Sequence, residues 1–222
     1  MSQGPKKFLA ELIGTFALVF FGAGAILQHN ATQGVGITGI AVAHGLAILV
    51  GIYAFGHISG GHFNPSVTFG MFVTRRISLP GLISYWIAQL AGATLGAWVL
   101  CMAYHGPTEA HLGTPTLAAG VSPIMAMGLE GLMAFMLVIV IAGTAVDPRA
   151  PKGFAGLAIG FTLIGNILFG ASLTGASFNP ARAFGPALVA GYWQDQWVYW
   201  VGPLIGGAIA ALLYEHFFLE RA

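Results

Sequence analysis

The chain has 222 residues, of which 57% are hydrophobic and only 7% charged, and its net charge is +1. An ordinary soluble domain is about 25% charged, and a soluble globule of this size exposes too much surface to hide so many apolar side chains, so the main solvent is lipid. A charge near zero gives nucleic acid nothing to bind, and a single cysteine, Cys101, excludes a disulfide framework and a Cys-based metal site.

In chain order, a short polar start up to Lys7 leads straight into an apolar run. It has no cleavage motif, so residues 8–27 read as a span and not as a signal peptide. A helix needs about 20 apolar residues to cross a bilayer core. Further spans are predicted over residues 35–55, 82–104, 123–146, 154–170 and 197–218. Two apolar stretches, 65–72 and 180–190, are too short to cross and read as re-entrant pieces. With six spans, Lys6, Lys7, Arg75, Arg76, Arg149, Lys152 and Arg221 fall on one side, and Arg182 alone on the other. The positive-inside rule makes the first side cytoplasmic and places both termini there. An arginine inside an apolar segment, as Arg182 is, points to function.

The chain also repeats itself. Residues 11–19, ELIGTFALV, match 130–138, EGLMAFMLV. Residues 59–66, SGGHFNPS, match 174–181, TGASFNPA. Residues 90–96, LAGATLG, match 204–210, LIGGAIA. Each half, about 8–104 and 123–218, holds three spans, so the second enters from the opposite face. One membrane domain over 1–222 results, an inverted repeat whose working site lies near the midplane. The pairs Gly92/Gly96, Gly156/Gly160 and Gly202/Gly206 are spaced for close helix packing in lipid.

Asn64-Pro65-Ser66 and Asn179-Pro180-Ala181 open the two short segments. Asn is a good N-cap and Pro suits the first helical position, so each motif starts a half-helix. One dips in from each side and their N-termini meet near the midplane. Irregular backbone at that depth is tolerated only where it is buried or lines a cavity. The stretches Gly60, Gly61, His62, Phe63 and Gly175, Ala176, Ser177, Phe178 are expected to run extended and to turn their carbonyls to a pore. Each half-helix N-terminus carries about half a positive charge, which repels cations, hydronium included. The Asn64 and Asn179 amides remain as donors to a passing oxygen, and a water held by both disfavours a continuous proton wire.

At these motifs the chain resembles the aquaporin (major intrinsic protein) family. Gly56-His-Ile-Ser-Gly60, Asn179-Pro-Ala-Arg-Ala-Phe-Gly185 and Trp200-Val-Gly-Pro-Leu-Ile-Gly-Gly207 carry the same resemblance. The first motif departs from the family in ending on Ser66, a small residue for which little effect is expected. The resemblance implies an all-α fold of six transmembrane helices and two half-helices, and a passive water channel that excludes protons and ions. It implies no enzyme activity, no cofactor and no metal. It also implies a homotetramer in the lipid bilayer, with water and small neutral solutes as its only other partners and the cell (plasma) membrane as its expected location. Buried Glu11 and Glu130 are implied to hold the re-entrant loops, and a proton relay is the rival use of such acids.

The family's outer constriction carries over to His44, Ile167, Ala176 and Arg182. That quartet resembles the constriction of plant tonoplast intrinsic proteins, which adds ammonia, hydrogen peroxide and urea as candidate solutes. His62 is expected on the cytoplasmic approach and His57 is read as structural. His29, His105 and His111 fall in outer loops without metal-ligand spacing. A glycerol facilitator is the alternative within the family. Those channels usually carry Asp and Lys where this chain has Ala183 and Ala187, and a Trp/Phe wedge absent here, and Tyr199-Trp200 likewise fits the water-channel subgroup. An ion-coupled secondary transporter would also have inverted repeats and broken helices, but it needs acids at the substrate site.

Overall fold

The computed structural model describes residues 3–107 and 110–220. Arg221, used above for orientation, lies outside the described residues. Among the described residues six helices are long and apolar enough to cross a membrane, α5 and α8 counted with the turn that continues each: α1 (Gln3–Thr32), α2 (Gly36–Ser59), α4 (Leu79–Ala103), α5 (Pro123–Ile141), α6 (Ala155–Thr174) and α8 (Val198–Leu213). Two short helices, α3 (Pro65–Val73) and α7 (Pro180–Ala190), complete the set. At about 1.5 Å per residue each covers roughly half of a ~30 Å core. The chain is thus a multi-pass, all-α membrane protein.

The observed helices outrun several predicted spans. α1 begins at Gln3, with Pro5, Lys6 and Lys7 exposed on its first turns. Hydropathy marks the lipid-covered part of a helix, and backbone hydrogen bonding carries the helix on into water. Ser78 and Ser122 cap α4 and α5, each accepting from an amide three residues on, with Pro at the helix start. α5 and α8 each run on into a single π turn, Ala142–Val146 and Tyr214–Phe218, which the apolar pattern does not distinguish from α-helix.

α1 packs on α2 and α4, α5 on α6 and α8, and α2 on α6. The two half-helices fill the interior, α3 against α8 and α4, and α7 against α4. Glycine lets these backbones approach. A Cβ on Gly92 would stand 2.2 Å from the Leu12 carbonyl oxygen, and one on Gly206 only 1.9 Å from that of Gly131. At the end of the bundle where α3 and α8 finish, Arg76 pairs with Glu215 at 2.6 Å. Asp147, in the following connection, accepts from Arg149 and from the Tyr214 hydroxyl. The Arg149 bonds hold its carboxyl well below the usual carboxylate range, so it stays ionised at neutral pH.

Candidate functional site

The sequence places a helix-stopping glycine before each Asn-Pro motif. Gly60 ends α2 and Gly175 ends α6, both in the left-handed conformation. The connecting stretches are not extended, as the sequence was expected to make them. Gly60, Gly61 and Phe63 have φ of 91°, 64° and 48°, and Gly175, Ala176 and Phe178 have 79°, 44° and 34°. An extended chain would point successive carbonyls to opposite sides. Left-handed residues let the chain turn between helix end and half-helix start.

Two buried acids hold this strained backbone. Glu11 accepts on Oε1 from the Ser59 hydroxyl (2.7 Å) and the His62 amide (2.9 Å). Its Oε2 accepts from the Phe63 amide (2.7 Å) and the Gln89 side chain (2.8 Å). Glu130 accepts from the Thr174 hydroxyl and the Ser177 and Phe178 amides. Tyr85 and Tyr199 donate to the carbonyls of Ser59 (2.6 Å) and Thr174 (2.7 Å), the last residues of α2 and α6. An unpaired carboxylate in lipid is costly, and here the lone pairs are spent on loop amides and hydroxyls.

The half-helix ends are clasped to one another. Asn64 caps α3 by accepting from the Ser66 amide (2.9 Å), and its Nδ2 donates to the Phe178 carbonyl (3.0 Å). Asn179 caps α7 by accepting from the amides of Ala181 (3.0 Å) and Arg182 (3.2 Å), and its Nδ2 donates to the Phe63 carbonyl (2.9 Å). Each amide nitrogen carries two protons, so one per Asn remains for another acceptor. Two of the eight expected pore carbonyls, Phe63 and Phe178, therefore serve the clasp. Pro65 and Pro180 start α3 and α7. The Ser66 hydroxyl lies 2.9 Å from Asn64 Oδ1 and 3.5 Å from the Phe178 carbonyl, so the departure from Ala adds a polar contact at the clasp.

Two cavities meet above this clasp. The outer one has a volume of about 290 Å³ and is walled partly by the connection between α4 and α5, including His111, Gly113 and Thr116. The inner one holds only about 20 Å³ and runs past Asn179 and Asn64 to His62 and Gly61. Part of its lining is polar, made of those residues with Ser177. The rest is mostly apolar, with Leu18, Ile48, Val67, Leu137, Ile159 and Leu163. Four residues line both cavities: His44, Ile167, Ala176 and Arg182.

At that junction His44 Nδ1 lies 2.9 Å from the Ile40 carbonyl, which can only accept. In the neutral ring Nδ1 therefore carries the proton and Nε2 offers a lone pair. That Nε2 and the Arg182 Nε are buried without a protein partner. The junction thus offers one acceptor and one charged donor to whatever passes, beside the apolar Ile167 and Ala176.

Sequence reasoning missed several supports. Ser59 and Thr174 were legible as hydroxyls at matched repeat positions, and Gln89 as a lone amide in an apolar span. Thr68 bonds both Gln89 and His62 and gave no separate signal. His57 is exposed on the last turn of α2, His105 is exposed, and His29 accepts from the Gly36 amide. His111 stacks on Tyr192 with ring centres 3.9 Å apart and walls the outer cavity.

A bundle of six crossing helices around two clasped half-helices and a narrow passage defines a membrane pore. Residues 2–214 match the family described as Major intrinsic protein, and the chain belongs to it. Aquaporin TIP4-4 of Zea mays is 44% identical over 223 residues, covering 97% of this chain and 88% of that one. Aquaporin TIP1-2 of Zea mays is 45% identical over 226 residues, covering 97% and 87%. Aquaporin TIP1-1 of Arabidopsis thaliana is 43% identical, covering 97% and 88%. The aquaglyceroporin from Plasmodium falciparum superposes with a TM-score of 0.86 at 24% identity over 96% of each chain, a likeness of fold.

Proposed function

We propose that the chain is a passive water channel whose selectivity is set at His44, Ile167, Ala176 and Arg182. The observation that carries this reading is that the same four residues line both the wide outer cavity and the narrow inner one. A size limit belongs where a passage changes calibre, and selectivity in such pores follows from diameter, lining donors and electrostatic barriers. Asn64 and Asn179 each keep one amide proton for a passing oxygen. Glu11 and Glu130 are occupied by loop amides, which leaves them no role in carrying a coupling ion. The relatives' name, aquaporin, agrees with water as the solute.

Ammonia, hydrogen peroxide and urea are the further solutes we assign. Each can accept from Arg182 and donate to His44 Nε2, and Ile167 puts an apolar face beside them. Glycerol is the disfavoured solute. We read the assembly as a homotetramer with one pore per subunit and both termini on the cytoplasmic side. The expectation of the plasma membrane gains no support from relatives that are TIP proteins of plants.

Stopped-flow permeability of proteoliposomes tests the reading directly. Water should cross fast and without a pH gradient, ammonia or peroxide measurably, and glycerol little. Glycerol crossing as fast as water would transfer the chain to the facilitators. Dependence on a pH gradient would favour a coupled transporter.

A further inference from the structure

α3 ends at Val73 and α4 begins at Leu79, and the short connection between them carries Arg75 and Arg76 side by side. The chain leaves α3 by a turn that ordinarily uses glycine. The Arg76 amide donates to the Met71 carbonyl (2.8 Å) and the Arg75 amide to the Phe72 carbonyl (2.9 Å), the paired bonds of a Schellman stop. Arg75 occupies the left-handed position of that stop, with φ of 60°. Glycine sits there without steric cost, whereas a residue with a Cβ is strained. Strain kept at a charged residue is a pointer to function.

The turn borders an open groove of about 570 Å³, lined by Phe72, Val73 and Ile77 on the apolar side and by Arg75, Arg76 and Ser78 on the polar side. The two arginines are not equivalent. Arg76 is paired with Glu215, which balances its charge. Arg75 is exposed and, among the described residues, makes no ion pair, so the groove carries one uncompensated positive charge. The Ser78 hydroxyl accepts from the Gly81 amide at 3.4 Å, and its own proton remains for another acceptor. Beside the groove, Leu79, Ile83 and Ile87 are 54%, 51% and 55% exposed. Spaced four apart, they lie on one face of α4, a stripe about 12 Å long that starts next to Ser78. Side chains so apolar and so exposed on a membrane-crossing helix meet hydrocarbon, which sets the arginines at the level of the lipid headgroups.

We propose that residues 72–78 bind the headgroup phosphate of a negatively charged phospholipid, with Arg75 as its ligand and an acyl chain laid along Leu79, Ile83 and Ile87. A guanidinium presents its donors in a fork that matches two phosphate oxygens. The groove selects by charge. A zwitterionic headgroup brings a further cation against Arg75 and Arg76, and a phosphatidylglycerol headgroup does not. The stripe selects a lipid over a free phosphate, because only a lipid carries apolar chains to cover it.

The experiment follows thermal unfolding of the purified protein in detergent as phosphatidylglycerol, phosphatidylcholine with the same chains, or glycerol phosphate is added. Phosphatidylglycerol should raise the melting temperature of the parent at lower concentration than phosphatidylcholine, and high salt should narrow the gap. Arg75→Gly relieves the left-handed strain, so without lipid it should melt close to the parent or above it. It should need roughly five-fold more phosphatidylglycerol for the same shift, the size expected of one arginine at a charged membrane surface. Arg75→Lys keeps the charge and should stay near the parent. Arg75→Asn, also at ease at positive φ, takes the place of Arg75→Gly if that variant folds poorly. Equal responses of the parent to the two lipids, or a parent-like response in Arg75→Gly, would overturn the site. Glycerol phosphate acting as well as phosphatidylglycerol would overturn the lipid and leave a soluble anion. A lower melting temperature of Arg75→Gly without lipid, with its lipid response intact, would assign Arg75 to the C-terminal end of α3, where a cation complements the helix dipole.

Discussion

His44 rests against α1 because residue 22 is glycine. A Cβ there would stand 2.3 Å from the ring Cδ2 and 2.5 Å from Nε2. The ring thus leans toward α1, and Ile167, on α6, keeps its place on the wall. Gly22→Ala favours the helix by up to about 1 kcal/mol, so the fold should stand. The ring, however, has to move, and the adjoining space is the junction it shares with Arg182 and Ile167. Water permeability per folded protein should drop, while thermal stability in detergent stays close to the parent. Adding His44→Ala to Gly22→Ala removes the displaced ring and should restore the flux, a coupling that a double-mutant cycle reads out. Equal flux in parent and Gly22→Ala would mean that the ring finds room elsewhere.

Between helices, some glycines meet a neighbouring backbone and others meet nothing. Gly92→Ala drives a methyl to within 2.2 Å of the Leu12 carbonyl, and α1 and α4 must part. Overpacking of that kind costs about 1–3 kcal/mol or more. Gly165, on α6, has nothing within 4 Å of its Cβ position. Gly165→Ala should be neutral or stabilising by up to about 1 kcal/mol. Thermal unfolding of the two purified variants should therefore move in opposite directions, and a shared direction would show that the G-x-x-x-G spacing is not what holds this pair. The spacing of Gly92 and Gly96 was legible in the sequence, and so were the six crossing elements, both half-helices and the Asn-Pro caps, because apolar length, Pro and Asn each leave a local mark. The left-handed loops were not legible. Phe63, Ala176 and Phe178 carry no sign of positive φ, which arises from the remote carboxylates of Glu11 and Glu130. The bond from Arg182 Nη1 to the Gly113 carbonyl was equally hidden, because a main-chain acceptor has no residue identity and these two are 69 positions apart.

Taken whole, the molecule is joined at its centre by two reciprocal bonds, from Asn64 to the Phe178 carbonyl and from Asn179 to the Phe63 carbonyl. Each donor also caps its own half-helix, so one side chain closes the clasp and fixes the helix end from which positive potential emerges. Two such ends, each worth about half a charge, lie beside the small inner cavity that Asn64 and Asn179 line. Replacing both Asn by Asp keeps an oxygen for each cap but removes both clasp donors and places carboxylates against carbonyls. Replacing both by Ala removes caps and clasp alike and adds no charge. The clasp bonds contribute about 0.5–1.5 kcal/mol each, so both double variants should fold in lower yield. Their conductances should differ. In planar bilayers the Asp pair should pass sodium or protons, because negative charge offsets the two dipole ends, whereas the Ala pair should stay closed to cations. Equal leaks in both would assign cation exclusion to the geometry of the clasp. No leak in either would assign it to the Arg182 charge alone, and Arg182→Ala should then open the pore to cations where the Asn variants do not.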